Sequence, residues 1–175
     1  MRTPLSHLLS FSLGLSFVGA CAADPDMDAR IELAKSAAPA SISDKASIMV
    51  DGKMVVEGSN GWTCMPDTMP GDGAAMCNDA LWMNMMNAVG SKADFVAEGI
   101  GISYMLQGDR GAGVSNATPY HPDPKNAEDY TETGAHLMIV VPKALLKDIS
   151  IEPSSGGPYV MWGETPYAHI MVPLE

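Results

Sequence analysis

The amino-acid sequence predicts an α+β fold with a mainly antiparallel sheet of five or six short strands and about three short helices. Short runs rich in Val, Ile and Met, a composition typical of buried strands, are bounded by turns rich in Gly, Pro, Asn and Asp. The helix-forming segments are few, and they do not alternate with the strands as β-α-β units would require. An antiparallel sheet with helices packed against it accounts best for this pattern.

Three segments have the composition of helices. Pro39 is expected to end the first, Asn78 or Asp79 to cap the second, and Pro142 to stand at the first position of the third. In the second helix, the side that carries Trp82 is expected to face the core. The predicted helices are residues 29–38, 80–89 and 143–148.

Six runs are predicted to be strands. The first two flank the turn Asp51-Gly52-Lys53, and an Asp-Gly turn between two such runs is typical of a hairpin. Residues 136–141 and 168–172 are apolar on both faces, as expected for central strands. The predicted strands are residues 47–50, 54–57, 99–106, 136–141, 159–162 and 168–172.

Charge and composition exclude several classes of protein. The chain has 10 Lys and Arg against 21 Asp and Glu, a formal net charge of −11, so a nucleic-acid binder is not expected. With 46% hydrophobic and 18% charged residues, the chain is expected to fold. The 14 Met are an excess, since Met stands at many positions that Leu and Phe usually take in a core.

The N-terminus has the layout of an export signal. Arg2 supplies the positive charge, and residues 8–20 form an apolar run of ~13 residues, shorter than the ~20 of a membrane-spanning helix. No second such run follows, so no transmembrane segment is predicted. Residues 1–22 are predicted to be a signal peptide and residues 23–175 a single exported domain of the periplasm or cell envelope.

The end of the predicted signal peptide allows two kinds of processing. Ala20-Cys21-Ala22 fits cleavage by the ordinary signal peptidase, which releases a free protein. The run Val18-Gly19-Ala20-Cys21 also resembles a lipobox, in which Cys21 is lipidated and anchors the protein to a membrane. The free form is favoured, because Val and Gly are less usual in a lipobox, and both forms are exported.

Two cysteines remain in the predicted domain. Cys64 and Cys77 form an even pair in a compartment that is expected to be oxidising, with the turn-rich segment MPDTMPGDGAAM between them. A two-cysteine metal site is the alternative. Its spacing is not C-x-x-C and no His lies nearby in the sequence, so a disulfide is favoured.

Five distinctive motifs are spread over the predicted domain: NGWTCMPD (60–67), YMLQGD (104–109), SNATPY (115–120), HLMIV (136–140) and PYVMWGETPYAHIMVP (158–173). Together they resemble an uncharacterised family of small exported bacterial proteins. The resemblance covers most of the predicted domain and implies export, but it transfers no functional residue.

A short internal repeat, the His-x-Met motif, contains the candidate site residues. Its two copies, Ala-His136-Leu-Met138 and Ala-His169-Ile-Met171, are nearly identical. Residues i and i+2 of a strand share a face. Each strand therefore presents one imidazole and one thioether on the same side. If the two strands pair, the four side chains form a soft ligand set that suits Cu(I), so copper is the candidate cofactor.

Ordinary core packing is the alternative, and the sequence alone favours it. A His in an apolar strand is more often a hydrogen-bonded core residue, and Met fills irregular gaps. The same two interpretations apply to a second group of methionines, expected to fold back onto Trp62 or Trp82 or to form an adaptable contact surface. That group comprises Met65, Met69, Met76, Met83, Met85 and Met86.

Residues 107–133 lack a periodic pattern, and so long a loop in a compact domain is usually functional or poorly ordered. The loop is therefore the candidate contact for a protein partner. His121 and Tyr120 beside its acidic residues allow a hydrolytic site as a lesser alternative. Four acidic residues allow weak Ca²⁺ binding, but they lack EF-hand spacing and a solvated acidic loop is favoured: Asp123, Glu128, Asp129 and Glu132.

The function expected from the sequence is binding. No G-x-S-x-G, H-E-x-x-H, phosphate-binding loop or haem-attachment motif is present, which argues against the enzymes that carry these motifs. The first hypothesis is an exported binding protein with copper as its candidate ligand, at His136, Met138, His169 and Met171. The competing hypothesis is a structural or protein-interaction module of the cell envelope without a metal.

Overall fold

A computed structural model describes residues 25–174. The predicted signal peptide with Cys21, and the predicted start of the domain at residue 23, lie outside the described residues. Within residues 25–174, no helix combines the length and the apolar composition that crossing a bilayer requires.

The described part of the chain contains three α-helices, two of them close to the predicted segments: α1 (Pro25–Lys35), α2 (Ala40–Ser43) and α3 (Ala80–Ser91). The prediction of a helix at residues 143–148 was wrong, because Lys143–Leu146 is only a 3₁₀ turn after Pro142. Two further 3₁₀ turns are Pro124–Asn126 and Pro153–Ser155.

The α+β fold is confirmed, but the sheet is larger than predicted and is mixed. Eight strands form it in the order β2-β1-β3-β4-β5-β8-β10-β9, and all neighbours are antiparallel except β1 and β3. β6 and β7 form a separate two-stranded sheet. The strands are β1 (Ser47–Val50), β2 (Lys53–Val56), β3 (Thr63–Met65), β4 (Met76–Asn78), β5 (Gly101–Met105), β6 (Val114–Ser115), β7 (Tyr130–Thr131), β8 (His136–Val140), β9 (Tyr159–Met161) and β10 (His169–Pro173).

The strands that the sequence did not predict are two or three residues long, and each lies in a turn-rich segment. β3 and β4 flank the segment between the two cysteines, where Cys64 and Cys77 are directly opposed and joined by a disulfide. The predicted disulfide is therefore confirmed, and such a bond is consistent with an exported protein.

The sheet is covered on both faces. On one face, α1 packs over β1, β3 and β4, around a small-residue core that contains Ala34, Ile48 and the buried disulfide. On the other face, α3 packs over β4 and β5, around a core rich in Met that contains Trp82. The Met-rich face carries the candidate site.

The segment 107–133 is folded and not a featureless loop. It contains β6, β7 and one 3₁₀ turn, and the Asp129 carboxylate accepts hydrogen bonds from the Ser115 hydroxyl and the Ala117 amide. Its start is attached to its own end, three residues before β8, because the Asp109 carboxylate accepts a 2.6 Å hydrogen bond from the Thr133 amide. The segment thereby becomes one wall of the cavity described next.

Candidate metal-binding cavity

The two His-x-Met motifs lie on adjacent strands. β8 and β10 are antiparallel, and their register places Met138 directly opposite Met171. His136 is opposite Pro173 on β10, and on its other side it is opposite Met105 of β5. The pairing that the copper hypothesis requires is present, but the two imidazoles are not opposite each other.

A cavity of about 110 Å³ lies between this sheet face, α3 and the segment 107–133. Six of its lining residues are methionines, so most of the ligand-capable atoms on its wall are thioether sulfurs. The lining residues that are only partly buried are Thr68, Met86, Asp109, Ala112, Val114 and Trp162. The lining residues are Thr68, Met76, Trp82, Met86, Met105, Asp109, Ala112, Val114, His136, Met138, Met161, Trp162, His169 and Met171.

The His136 ring is fully buried, at 0% exposure, and only one of its nitrogens is paired. Nδ1 lies 2.7 Å from the Gly134 carbonyl oxygen. A carbonyl can only accept, so Nδ1 carries a proton and donates; in the neutral ring, Nε2 is then the nitrogen that holds the lone pair. Nε2 has no hydrogen-bond partner among the described residues.

The His169 ring, 1% exposed, repeats this arrangement. Its Nδ1 donates to the Tyr167 carbonyl over 2.9 Å, and its buried Nε2 has no hydrogen-bond partner in residues 25–174. Burial lowers the pKa of His169 to about 4, with a smaller contribution in the same direction from His136. His169 is therefore neutral at physiological pH, which is the protonation state that binds a metal.

Among the described residues that line the cavity, Asp109 alone carries a carboxylate, and it lies close to His136. Its Oδ1 lies 3.9 Å from His136 Nε2, too far for a hydrogen bond. Burial raises the pKa of Asp109, partly offset by the hydrogen bond from Thr133 and by the nearby His136. A cation beside His136 would lie next to this carboxylate.

Two indoles contact the His169 ring. Trp82 and Trp162 meet it in T-shaped geometry, with centroid separations of 5.1 and 5.0 Å. Trp162 has a positive φ of 55°, which is uncommon for a bulky residue, and its Nε1–H donates to the Ser115 carbonyl. Trp162 thus joins the segment 107–133 to the wall around His169.

Asp79 and Gly101 set the position of α3 above the sheet. The Asp79 carboxylate accepts from the Trp82 amide as the helix N-cap, and also from the Ile102 amide of β5. A Cβ at Gly101 would lie only 3.1 Å from the Trp82 amide nitrogen and 2.7 Å from Val140 Cγ1. The glycine therefore allows the close approach that brings Trp82 to His169.

Gly108 allows a second close approach, beneath His136. Its φ is +68°, and a Cβ there would lie 2.9 Å from the Gly134 carbonyl carbon. The carbonyl of Gly134 is the acceptor for His136 Nδ1. The turn at Gly108 therefore supports the backbone that fixes the tautomer of His136.

The four residues of the copper hypothesis all line one cavity, but the sequence analysis missed several neighbours. Met105 and Met161 belong to strands far away in sequence, and Asp109 belongs to a segment predicted to be an irregular loop. Met105 is buried on the inner face of β5 and reaches His136 by strand pairing, which no local sequence pattern indicates. The second methionine group divides: Met76, Met85 and Met86 join the Met-rich core, whereas Met69 is 68% exposed.

The lesser alternatives lie elsewhere. His121 is not part of the cavity, and its Nδ1 accepts from the Asp123 amide. The Tyr120 hydroxyl donates to the Val89 carbonyl near the end of α3, so its proton is engaged in a structural hydrogen bond. Within residues 25–174, no group of three or more His, Cys, Asp or Glu could hold a metal ion. Any ion held in the cavity would therefore need thioether ligands.

Comparisons of the chain with protein-family models, with curated proteins and with solved structures give no match.

Proposed function

We propose that this protein is an exported binding protein for a soft monovalent cation, Cu(I), which it holds in the methionine-lined cavity. One observation carries the proposal: His136 and His169 each direct Nδ1 to a backbone carbonyl and keep on the cavity wall a buried Nε2 that has no hydrogen-bond partner in residues 25–174. An unpaired buried polar atom costs about 1–3 kcal/mol, and among the described residues that line the cavity Trp82 Nε1 is a third, so the two imidazole nitrogens require an explanation. Metal-binding histidines have this second-shell arrangement.

The chemistry of the lining favours Cu(I) over harder ions. Thioether sulfur with imidazole nitrogen is a soft ligand set, whereas Mg²⁺ and Ca²⁺ need several oxygen ligands. Structural Zn²⁺ sites use four Cys, His or carboxylate ligands, and the described residues contain no group of even three. The net charge of −11 also attracts cations to the protein.

The volume of the cavity favours an ion over an organic ligand. Pockets for small organic molecules usually enclose ~300–1,000 Å³. At about 110 Å³, this cavity lies well below that range.

Thioether ligands suit an exported protein. The Cys64–Cys77 disulfide is typical of an oxidising compartment, where a pair of free thiols is readily lost to disulfide formation. A thioether cannot form a disulfide, so a Met and His set keeps its binding capacity there. We propose that residues 1–22 direct the export and that the free periplasmic form is the main product.

The test is a Cu(I) titration of protein isolated from the periplasm of an expressing bacterium. The protein competes with a chromogenic Cu(I) chelator in the presence of ascorbate, and we expect it to withdraw copper from the chelator. His136→Ala combined with His169→Ala should abolish this uptake. His121→Ala is the matched control, because it removes an imidazole outside the cavity.

Two results would overturn the proposal. The wild-type protein could leave all copper on the chelator, or the double variant could bind copper as well as the wild type. Circular dichroism of each variant checks that the fold is retained. Failure of copper uptake would favour an envelope module whose segment 107–133 contacts a protein partner.

A further inference from the structure

The register of β8 and β10 separates the two imidazoles. His136 is level with Pro173 on β10, whereas His169 stands four residues earlier on that strand. Four residues of a strand span roughly 13 Å at about 3.3 Å per residue. Side chains stand roughly perpendicular to a sheet, and a metal–imidazole bond is only ~2 Å long. This geometry disfavours one ion bound by both rings.

Each imidazole has its own pair of thioethers. His136 is directly opposite Met105 on β5, and Met138 is two residues farther along its own strand. His169 is directly opposite Met161 on β9, and Met171 is two residues farther along its own strand. Directly opposed Cβ atoms lie about 4.5–5.5 Å apart, close enough for both side chains to share a ligand. The same trio of one His and two Met therefore occurs twice on this face.

We propose that the cavity binds two soft ions, one held by His136, Met105 and Met138 and the other by His169, Met161 and Met171. The inference rests on the proposed function and adds the number and the ligands of its sites. All six side chains line the same cavity. Met138 and Met171 are directly opposed, so the two trios touch at this methionine pair.

The two sites differ in their surroundings. Asp109 Oδ1 lies 3.9 Å from His136 Nε2 and is the one carboxylate on the cavity wall, so it offsets the charge of an ion at the His136 site. The His169 site has no carboxylate on its wall, and its ring contacts Trp82 and Trp162. The His136 site is therefore the tighter of the two, and an ion at the His169 site quenches tryptophan fluorescence.

The experiment is a stoichiometric titration with Ag(I), a redox-inert soft cation, followed by tryptophan fluorescence and by metal analysis after desalting. We expect two equivalents in the wild-type protein, with the quenching confined mainly to the second. Met105→Leu and Met161→Leu keep the side-chain volume and should each leave one equivalent. Quenching should persist in Met105→Leu and be lost in Met161→Leu. Met54→Leu, on the exposed strand β2, is the control and should keep both equivalents.

The outcomes separate this inference from the proposed function. One equivalent in the wild-type protein, abolished by either substitution, would show a single shared site and overturn the inference while copper binding stands. If either variant loses both equivalents of Ag(I), the inference of two separate sites is likewise overturned. Absence of both Ag(I) and Cu(I) uptake in the wild-type protein would overturn the proposed function itself.

Discussion

Met138 on β8 and Met171 on β10 lie directly opposite each other on the buried sheet face beneath α3. Both are almost fully buried, at 7% and 2% exposure, and both line the cavity that contains His136 and His169. A packed apolar core would use this pair only to fill space. A binding site would use the two sulfurs as metal ligands. A substitution that keeps the side-chain volume but removes the sulfur distinguishes the two roles.

Met138→Leu and Met171→Leu should reduce Cu(I) affinity far more than stability. Leu has a similar volume, so we expect less than about 1.5 kcal/mol of destabilisation. Each substitution removes a sulfur, and we expect at least a ~10-fold loss of affinity, since even second-shell changes cost 10–100-fold. Chelator competition and urea unfolding give the two quantities. Unchanged affinity with an intact fold would mean that these sulfurs are only core atoms.

Removal of the disulfide should destabilise the protein without removing the cavity ligands. Cys64→Ala combined with Cys77→Ala releases a loop with a sequence separation of 13, and we expect a loss of about 3 kcal/mol in the chain-entropy model. Urea unfolding of wild-type and variant protein measures it. Mass spectrometry of the wild-type protein should find no free thiol at either position. A double variant as stable as the wild type would contradict the expectation.

His169 should make the metal-free protein less stable in acid. Its pKa is about 4 in the folded protein, where burial disfavours the charged ring, against 6.5 for the ordinary group. Between these values the unfolded chain binds a proton that the folded protein does not. The resulting stabilisation is complete above pH 6.5 and is lost progressively as the pH falls to about 4, by up to about 1.4 kcal/mol per unit.

Urea unfolding between pH 7 and 4.5 tests this dependence. Asp109 acts in the opposite direction, because burial raises its pKa and the folded protein then holds the extra proton. The informative quantity is therefore the slope of the free energy of unfolding against pH. This slope should be smaller in His169→Gln than in the wild type. His121→Gln, outside the cavity, is the control and should keep the wild-type slope. Equal slopes in all three proteins would contradict the role of His169.

Asp79→Ala should loosen α3 from the sheet. The substitution removes the acceptor for the Trp82 amide and for the Ile102 amide at once. Loss of an N-cap costs about 1–2 kcal/mol, and we expect the upper end of that range because a strand amide loses its partner too. Urea unfolding measures the cost, with exposed Asp148→Ala as the control. Equal destabilisation by both substitutions would contradict this role of Asp79.

Local patterns were sufficient to predict much of the site. The i and i+2 spacing placed His136 beside Met138 and His169 beside Met171 on buried strands, as observed. Asp79 was one of two predicted caps for the second helix, and it caps α3. The same local patterns missed β3 and β4, because strands of three residues with turn-forming neighbours show no periodicity.

Which residues complete the cavity could not be predicted in this way. Met105 and Met161 reach the two imidazoles through pairing between strands, and Asp109 reaches His136 through a turn that packs on Gly134. The tautomers also depend on tertiary structure, since they follow from carbonyl groups that the turns before β8 and β10 present to each ring. None of these relationships has a local sequence pattern.

By itself, the sequence determined the α+β class, the disulfide pair and two strand segments that each carry one imidazole and one thioether on a shared face. These properties depend on periodicity and on residue chemistry within a few positions of the chain. Only the tertiary structure decided that the two segments are neighbours, that their methionines are opposed and that both Nε2 atoms meet one cavity unpaired. Register and cavity shape are set by contacts between segments far apart in the chain, and a one-residue slip would turn every one of these side chains to the other face.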